Sequence, residues 1–93
     1  MEETKKLAHF VGELIYENLP EDVIRKTKEL ILDQLGCQLA GSTLPWTQPA
    51  YEYVVDYGRK REESTVVNYG FRTASQDAAF VNATFGHAFL GDD

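Results

Sequence analysis

The amino-acid sequence predicts a mainly α-helical chain, about four helices with one short extended segment, organised as a single domain. Three observations carry this reading. Apolar residues recur at helical spacing along most of the chain, Pro and Gly fall where helices should begin and end, and only residues 65–69 are β-branched enough for a strand.

The first helix is expected to begin near Thr4. Leu7, Phe10, Val11, Leu14 and Ile15 follow the i, i+3, i+4, i+7, i+8 pattern of one buried stripe. His9, Glu13 and Tyr16 fall on the opposite side, so His9 reads as a surface residue without a chemical role. Asn18-Leu19 interrupts the pattern. Pro20 then opens a second helix at the position that tolerates a missing N–H, and Glu21 and Asp22 suit the positive end of its dipole. Arg25, Lys26, Lys28 and Glu29 mark a wet face. Beyond them, Leu30, Ile31, Leu32, Leu35, Cys37, Leu39 and Ala40 cover most of the circumference and predict burial nearly all round. Gly36 inside this run costs about 1 kcal/mol against Ala, which suggests that another backbone approaches it. Gly41 reads as a left-handed cap.

Pro49 starts a third helix through Tyr53, Val54 and Tyr57 to a stop at Gly58. Residues 59–64 form a charged turn. The extended segment at residues 65–69 cannot stand alone. It either lies over the helices or pairs with further chain, and Gly70-Phe71-Arg72 reads as a turn. Ser75 is expected to cap a fourth helix through Leu90, nearly free of charge and rich in small residues, suited to the middle of a helical assembly.

Composition excludes several function classes. Among 93 residues, 43% are apolar and 26% charged, in the ordinary globular range. Folding would bury somewhat over ~60% of the unfolded surface, so stability is marginal unless something packs against the chain. There is no run of ~18 apolar residues that would span a membrane, and the N-terminus has no secretory h-region. A single Cys37 fits a reducing compartment, and the cytoplasm, or an organelle matrix, is the expected setting. The net charge of −6 argues against nucleic acid, because Glu62-Glu63 neutralises most of the one basic cluster, Arg59-Lys60-Arg61.

The last segment is expected to continue into further chain. Ending at Gly91-Asp92-Asp93 would place carboxylates at the negative end of a helix dipole, at about 0.3–1 kcal/mol each. An uncharged central helix also needs more neighbours than three other helices supply.

The chemistry points to the same end. His87 with Asp92 and Asp93 is the one group of titratable residues on an otherwise apolar element. If the helix runs to its end, Asn82, Gly86, Phe89 and Asp93 lie within about 40° of one another. His87 points elsewhere, on a stripe with Ala83 and Leu90. A lone His on an apolar helix is more often a hydrogen-bonded core residue than a catalyst. No pair has metal-ligand spacing, Cys37 has no neighbouring His to activate it, and no Gly-rich phosphate loop is present.

The order of three segments resembles the MmgE/PrpD family, which includes 2-methylcitrate dehydratases, cis-aconitate decarboxylases and iminodisuccinate epimerases. Leu7-Ala8-His9-Phe10-Val11 followed by Leu19-Pro20 resembles the family's opening helix. Residues 33–42, from Asp33-Gln34-Leu35-Gly36-Cys37 to Gly41-Ser42, resemble its D-x-L-G-C-x-L-A-G-S helix. Asp77-Ala78-Ala79-Phe80-Val81-Asn82-Ala83 through His87-Ala88 to Asp92-Asp93 resembles its D-A-A-F-x-N-G…H-x-x-D-x-D-D segment. Two positions depart: Ala83 replaces the usual Gly, and Leu90 replaces an acid that is associated with the active site in cis-aconitate decarboxylases. The second departure speaks against decarboxylation.

The resemblance implies that residues 1–93 are the N-terminal part of a large helical domain, with a smaller α/β lid domain elsewhere in a longer homodimeric protein. It implies no metal or organic cofactor, and small di- or tricarboxylate substrates processed by proton abstraction next to a carboxylate. The reading it favours is a carbon–oxygen lyase like 2-methylcitrate dehydratase, with the present chain inactive alone. Asp93 and Asp92 would line the site and hold a base or cation, with His87 and Asn82 as supporting hydrogen-bonding residues behind them. Asp33 would accept a hydrogen bond from a neighbouring helix end. The rival reading is a helical interaction module without chemistry.

Overall fold

A computed structural model describes residues 1–89. Four α-helices and one short hairpin follow in order: α1 (Glu2–Glu13), a single 3-10 turn (Tyr16–Asn18), α2 (Glu21–Gly41), α3 (Gln48–Tyr57), β1 (Ser64–Thr65), β2 (Arg72–Thr73) and α4 (Ser75–Gly86). The described chain is therefore mainly helical, as the sequence predicts. It separates into two compact units, Met1–Leu30 and Ile31–Asp93, with the boundary inside α2.

In Met1–Leu30, α1 has two acids in its first turn, Glu2 and Glu3, where the dipole favours them. The stripe expected to be buried is exposed: Phe10 and Val11 keep 60% and 61% of their surface. An amphipathic stripe records the need for an apolar partner, and this unit contains none large enough. Only Leu19 and Ile24 become half-buried. Pro20 lies just outside α2, which starts at Glu21. His9 is a surface residue, as expected, 3.2 Å from Glu13 one turn on.

The second unit holds the core. Val54 of α3, Val66 of the hairpin, and Ala78, Val81 and Phe85 of α4 form one buried cluster, with Tyr51 and Phe71 packed against it. Val81 and Phe85 are fully buried, which agrees with a central place for α4, although Phe80 on its other side is exposed. The C-terminal half of α2 departs from expectation. Ile31, Leu32, Leu35 and Leu39 are exposed, and Cys37 is half-buried. Gly36 has no neighbour close enough to meet an added Cβ, so the backbone approach expected there belongs instead to Gly41. A Cβ on Gly41 would run into the Phe85 carbonyl and press on Ala88. Gly41 is no left-handed cap; it stays helical, and side chains close the helix end. Ser42 Oγ donates to Leu39 O at 2.7 Å and Thr47 Oγ1 to Gly41 O at 2.6 Å, satisfying carbonyls that the helix leaves open.

The extended segment finds its partner within the chain. β1 pairs antiparallel with β2, Ser64 opposite Thr73 and Thr65 opposite Arg72, so Arg72 is a strand residue rather than part of a turn. Val66 N–H donates to Phe71 O at 2.7 Å, and the reversal passes through Asn68 (φ 75°) and Gly70 (φ 63°). Asn tolerates this left-handed region better than most residues. The fourth helix also starts differently. Ser75 is its first residue, and the capping acceptor is Glu63, whose Oε1 takes the Ser75 N–H at 3.1 Å.

Candidate functional site

The sequence directs attention to the end of α4. The helix stops at Gly86 instead of running through Leu90. Gly is a poor helix former, and His87 follows with φ −108° and ψ 23°. The His87 N–H still closes onto Ala83 O at 3.1 Å, and Ala88 N–H reaches Phe85 O at 3.3 Å. The shared face expected for Asn82, Gly86, Phe89 and Asp93 required an unbroken helix, so that construction fails. His87 is exposed, at the helix end. Leu90, Asp92 and Asp93 lie outside the described residues.

Asn82 has a definite job. Its Oδ1 accepts the Val67 N–H at 2.9 Å and its Nδ2 donates to Thr65 O at 3.0 Å. Both ends of the amide are thus spent on the hairpin backbone, continuing a ladder that β1 alone would leave short. Asn82 thereby ties the hairpin to α4. Asp77, in the first turn of α4, works alike: Oδ2 accepts the Arg59 N–H at 2.8 Å and Oδ1 meets Arg59 Nη1 at 3.1 Å. Asp33 is exposed on α2, and among the described residues no helix end donates to it.

Positive charge near this framework gathers at residues 59–61 and 72. A shallow groove of about 310 Å³ is lined by Arg59, Lys60, Arg61 and Arg72 among others. Its guanidiniums are engaged: Arg59 with Asp77, Arg61 with Glu63 at 3.0 Å, and Arg72 with Glu62 O at 3.0 Å. No group of three or more His, Cys, Asp or Glu side chains is placed to hold a metal among the described residues. No described helix is long and apolar enough to cross a membrane.

Two features were not anticipated. One is an aromatic cluster in which Tyr51 stacks on Tyr69 at 4.2 Å and meets Phe71 edge-on at 6.1 Å. Burial, and then the neighbouring Tyr69 phenol, push the Tyr51 phenol above its ordinary value. The other is a polar knot at Ser42, whose carbonyl accepts from Gln48 Nε2 and Tyr69 Oη, both at 2.7 Å, while its Oγ accepts from Asn68 Nδ2 at 2.9 Å. Beside it, Trp46 Nε1 donates to Ala88 O at 3.1 Å, across 42 positions of sequence. The one available signal was a Trp isolated in a Pro-containing link; no periodicity links residue 46 to residue 88.

Comparison with known proteins gives this framework a family. Cis-aconitate decarboxylase-like protein oryM of Aspergillus oryzae is 36% identical over 90 residues, which is 97% of this chain and 18% of that protein. Cis-aconitate decarboxylase of Aspergillus terreus is 28% identical over the same share of each. The chain therefore spans 18% of the length of these curated relatives. No solved structure matches it significantly. Residues 5–93 match the MmgE/PrpD N-terminal domain, and the chain belongs to the MmgE/PrpD family.

Proposed function

We propose that this chain is the N-terminal part of a lyase that acts on small di- or tricarboxylates by abstracting a proton next to a carboxylate. The observation that supports the reading is the family match across residues 5–93, joined by relatives named as cis-aconitate decarboxylases. A tricarboxylate requires cations to neutralise it. The guanidiniums of Arg59, Arg61 and Arg72 are occupied by acids and carbonyls. In this reading the substrate-binding cations and the base come from the rest of a longer polypeptide, which assembles as a homodimer in the cytoplasm. Asp92 and Asp93 line the site and hold one of those groups.

Two reactions divide the class. Leu90, in place of an acid associated with the decarboxylase site, favours dehydration of a substrate like 2-methylcitrate. The names of the relatives favour decarboxylation of cis-aconitate. Offering both acids to the intact polypeptide separates them. Loss of water without carbon dioxide supports the dehydratase, and release of carbon dioxide supports the decarboxylase. Turnover of neither, nor of related di- and tricarboxylates, would overturn the lyase reading in favour of a helical interaction module.

A further inference from the structure

We infer that the exposed side of α2 between Ile31 and Ala40 is a docking surface for an apolar helix from the rest of the longer polypeptide, with the closest approach at Gly36. The inference rests on the part of the proposed function that makes this chain one piece of such a polypeptide, and not on its chemistry. At 100° per residue, Ile31, Leu35, Leu39, Leu32, Gly36 and Ala40 follow one another around about 180° of the helix, and no polar side chain of residues 31–41 falls among them. All six are exposed, Leu32 at 72% and Ile31 at 56%. Single exposed leucines are ordinary, whereas a contiguous apolar face of this width is what a helix turns toward a core or a partner.

The opposite side of the helix is already taken. Gln34 and Gln38 lie against Gly86 of α4, where an added Cβ would run into both, and Gly41 lies against the Phe85 carbonyl. Ser42 and Thr47 close the helix end on Leu39 O and Gly41 O. α2 is thereby held to α4 by one side, and the apolar arc stands outside the buried cluster of Val54, Val66, Ala78, Val81 and Phe85. Within the arc, nothing lies within 4 Å of a Cβ built on Gly36. Gly is a poor choice for a helix interior unless its bare Cα is used. Flanked by Leu32, Leu35 and Leu39, it is the point where a crossing helix comes nearest.

Length and charge select the occupant. The chain spans 18% of the length of its curated relatives, so most of such a polypeptide lies elsewhere. A tethered segment competes at a far higher effective concentration than a second copy in solution. A second copy also brings a net charge of −6 against −6, which opposes pairing. The docking helix presents an uncharged face, because six apolar residues offer a buried charge no partner.

The test is hydroxyl-radical footprinting read by mass spectrometry, on the intact polypeptide and on the 93-residue chain. In the intact polypeptide Leu32, Leu35 and Leu39 should be protected as strongly as the fully buried Phe85, and in the 93-residue chain they should react freely. Gly36→Leu should lower the thermal midpoint of the intact polypeptide by about 2 °C or more and leave that of the 93-residue chain unchanged or raised. Reactive leucines, or an unchanged midpoint, in the intact polypeptide would overturn the inference. Protection in the 93-residue chain would overturn it as well, marking a second copy if it fades on dilution and cover from within these residues if it does not. No substrate enters either readout. A protected face in a parent that turns over no carboxylate would leave this surface standing without the lyase reading, and a bare face in an active lyase would do the reverse.

Discussion

α1 and α4 are each twelve residues long, yet one has no buried residue and the other has four, three of them in the core. Their patterns run against this outcome. The α1 stripe is regular, whereas α4 is apolar or small on most sides, with no strong face. What separates them is the company each finds. The unit Ile31–Asp93 surrounds α4 with Val54, Val66, Tyr51 and Phe71, and the hairpin is tied to it through Asn82. The unit Met1–Leu30 offers α1 no comparable surface. Periodicity therefore reports which face a helix would bury, and only tertiary contacts decide whether it does.

That contrast can be broken most directly with paired truncations. Phe85→Ala empties the middle of the buried cluster and should cost about 3–5 kcal/mol by urea denaturation, while Phe10→Ala in the same 93-residue chain should stay within about 0.5 kcal/mol. Equal losses would mean that α1 is covered in solution. The two α2 glycines sharpen the same point. Gly41→Ala forces a methyl against the Phe85 backbone and should lose about 1–3 kcal/mol. Gly36→Ala has open space around it and should gain up to about 1 kcal/mol; a loss there would show that another backbone does approach. Asn82→Ala removes both partners of the Thr65 and Val67 backbone groups and should cost about 1–2 kcal/mol, with faster exchange at the Val67 amide as its local signature.

The smallest effect concerns pH. The Tyr51 phenol is raised above 10.0 in the folded chain, so the folded state holds that proton more tightly than the unfolded one. Its contribution is fully present below about pH 10 and is lost as pH climbs through the raised value. The folding midpoint should be insensitive to Tyr51→Phe at neutral pH, and the variant should show a shallower decline above about pH 10. Identical alkaline profiles would remove Tyr51 from the balance.

Much of this architecture was legible because local chemistry encodes it. Pro49 and Gly58 mark the ends of α3, and the apolar run after Ser75 identifies the central helix. Gly58 and Arg59 bring the charged turn to Asp77, which sequence alone could not pair with it. What escaped prediction depends on contacts between distant residues. Thr65 found Arg72 through a turn whose left-handed Asn68 and Gly70 were not read as a reversal, and Glu63 capped α4 in place of Ser75. The burial expected around Leu32 and Leu35 assumed neighbours that the described unit does not place there. At the candidate site the order of motifs indicated the family, which the match over residues 5–93 bears out. The bonds from Asn82 to Thr65 and Val67 were not legible, because a helical-wheel angle says nothing about whether a hairpin occupies that side.

The proposed function assigns Asp93 to the chemistry of a carboxylate lyase site and not to folding. The most direct measurement is the kcat and thermal midpoint of Asp93→Asn in the intact polypeptide. The account predicts a fall in kcat of about a hundredfold or more with the midpoint unchanged. Parallel losses of turnover and midpoint, or full turnover by the variant, would contradict it.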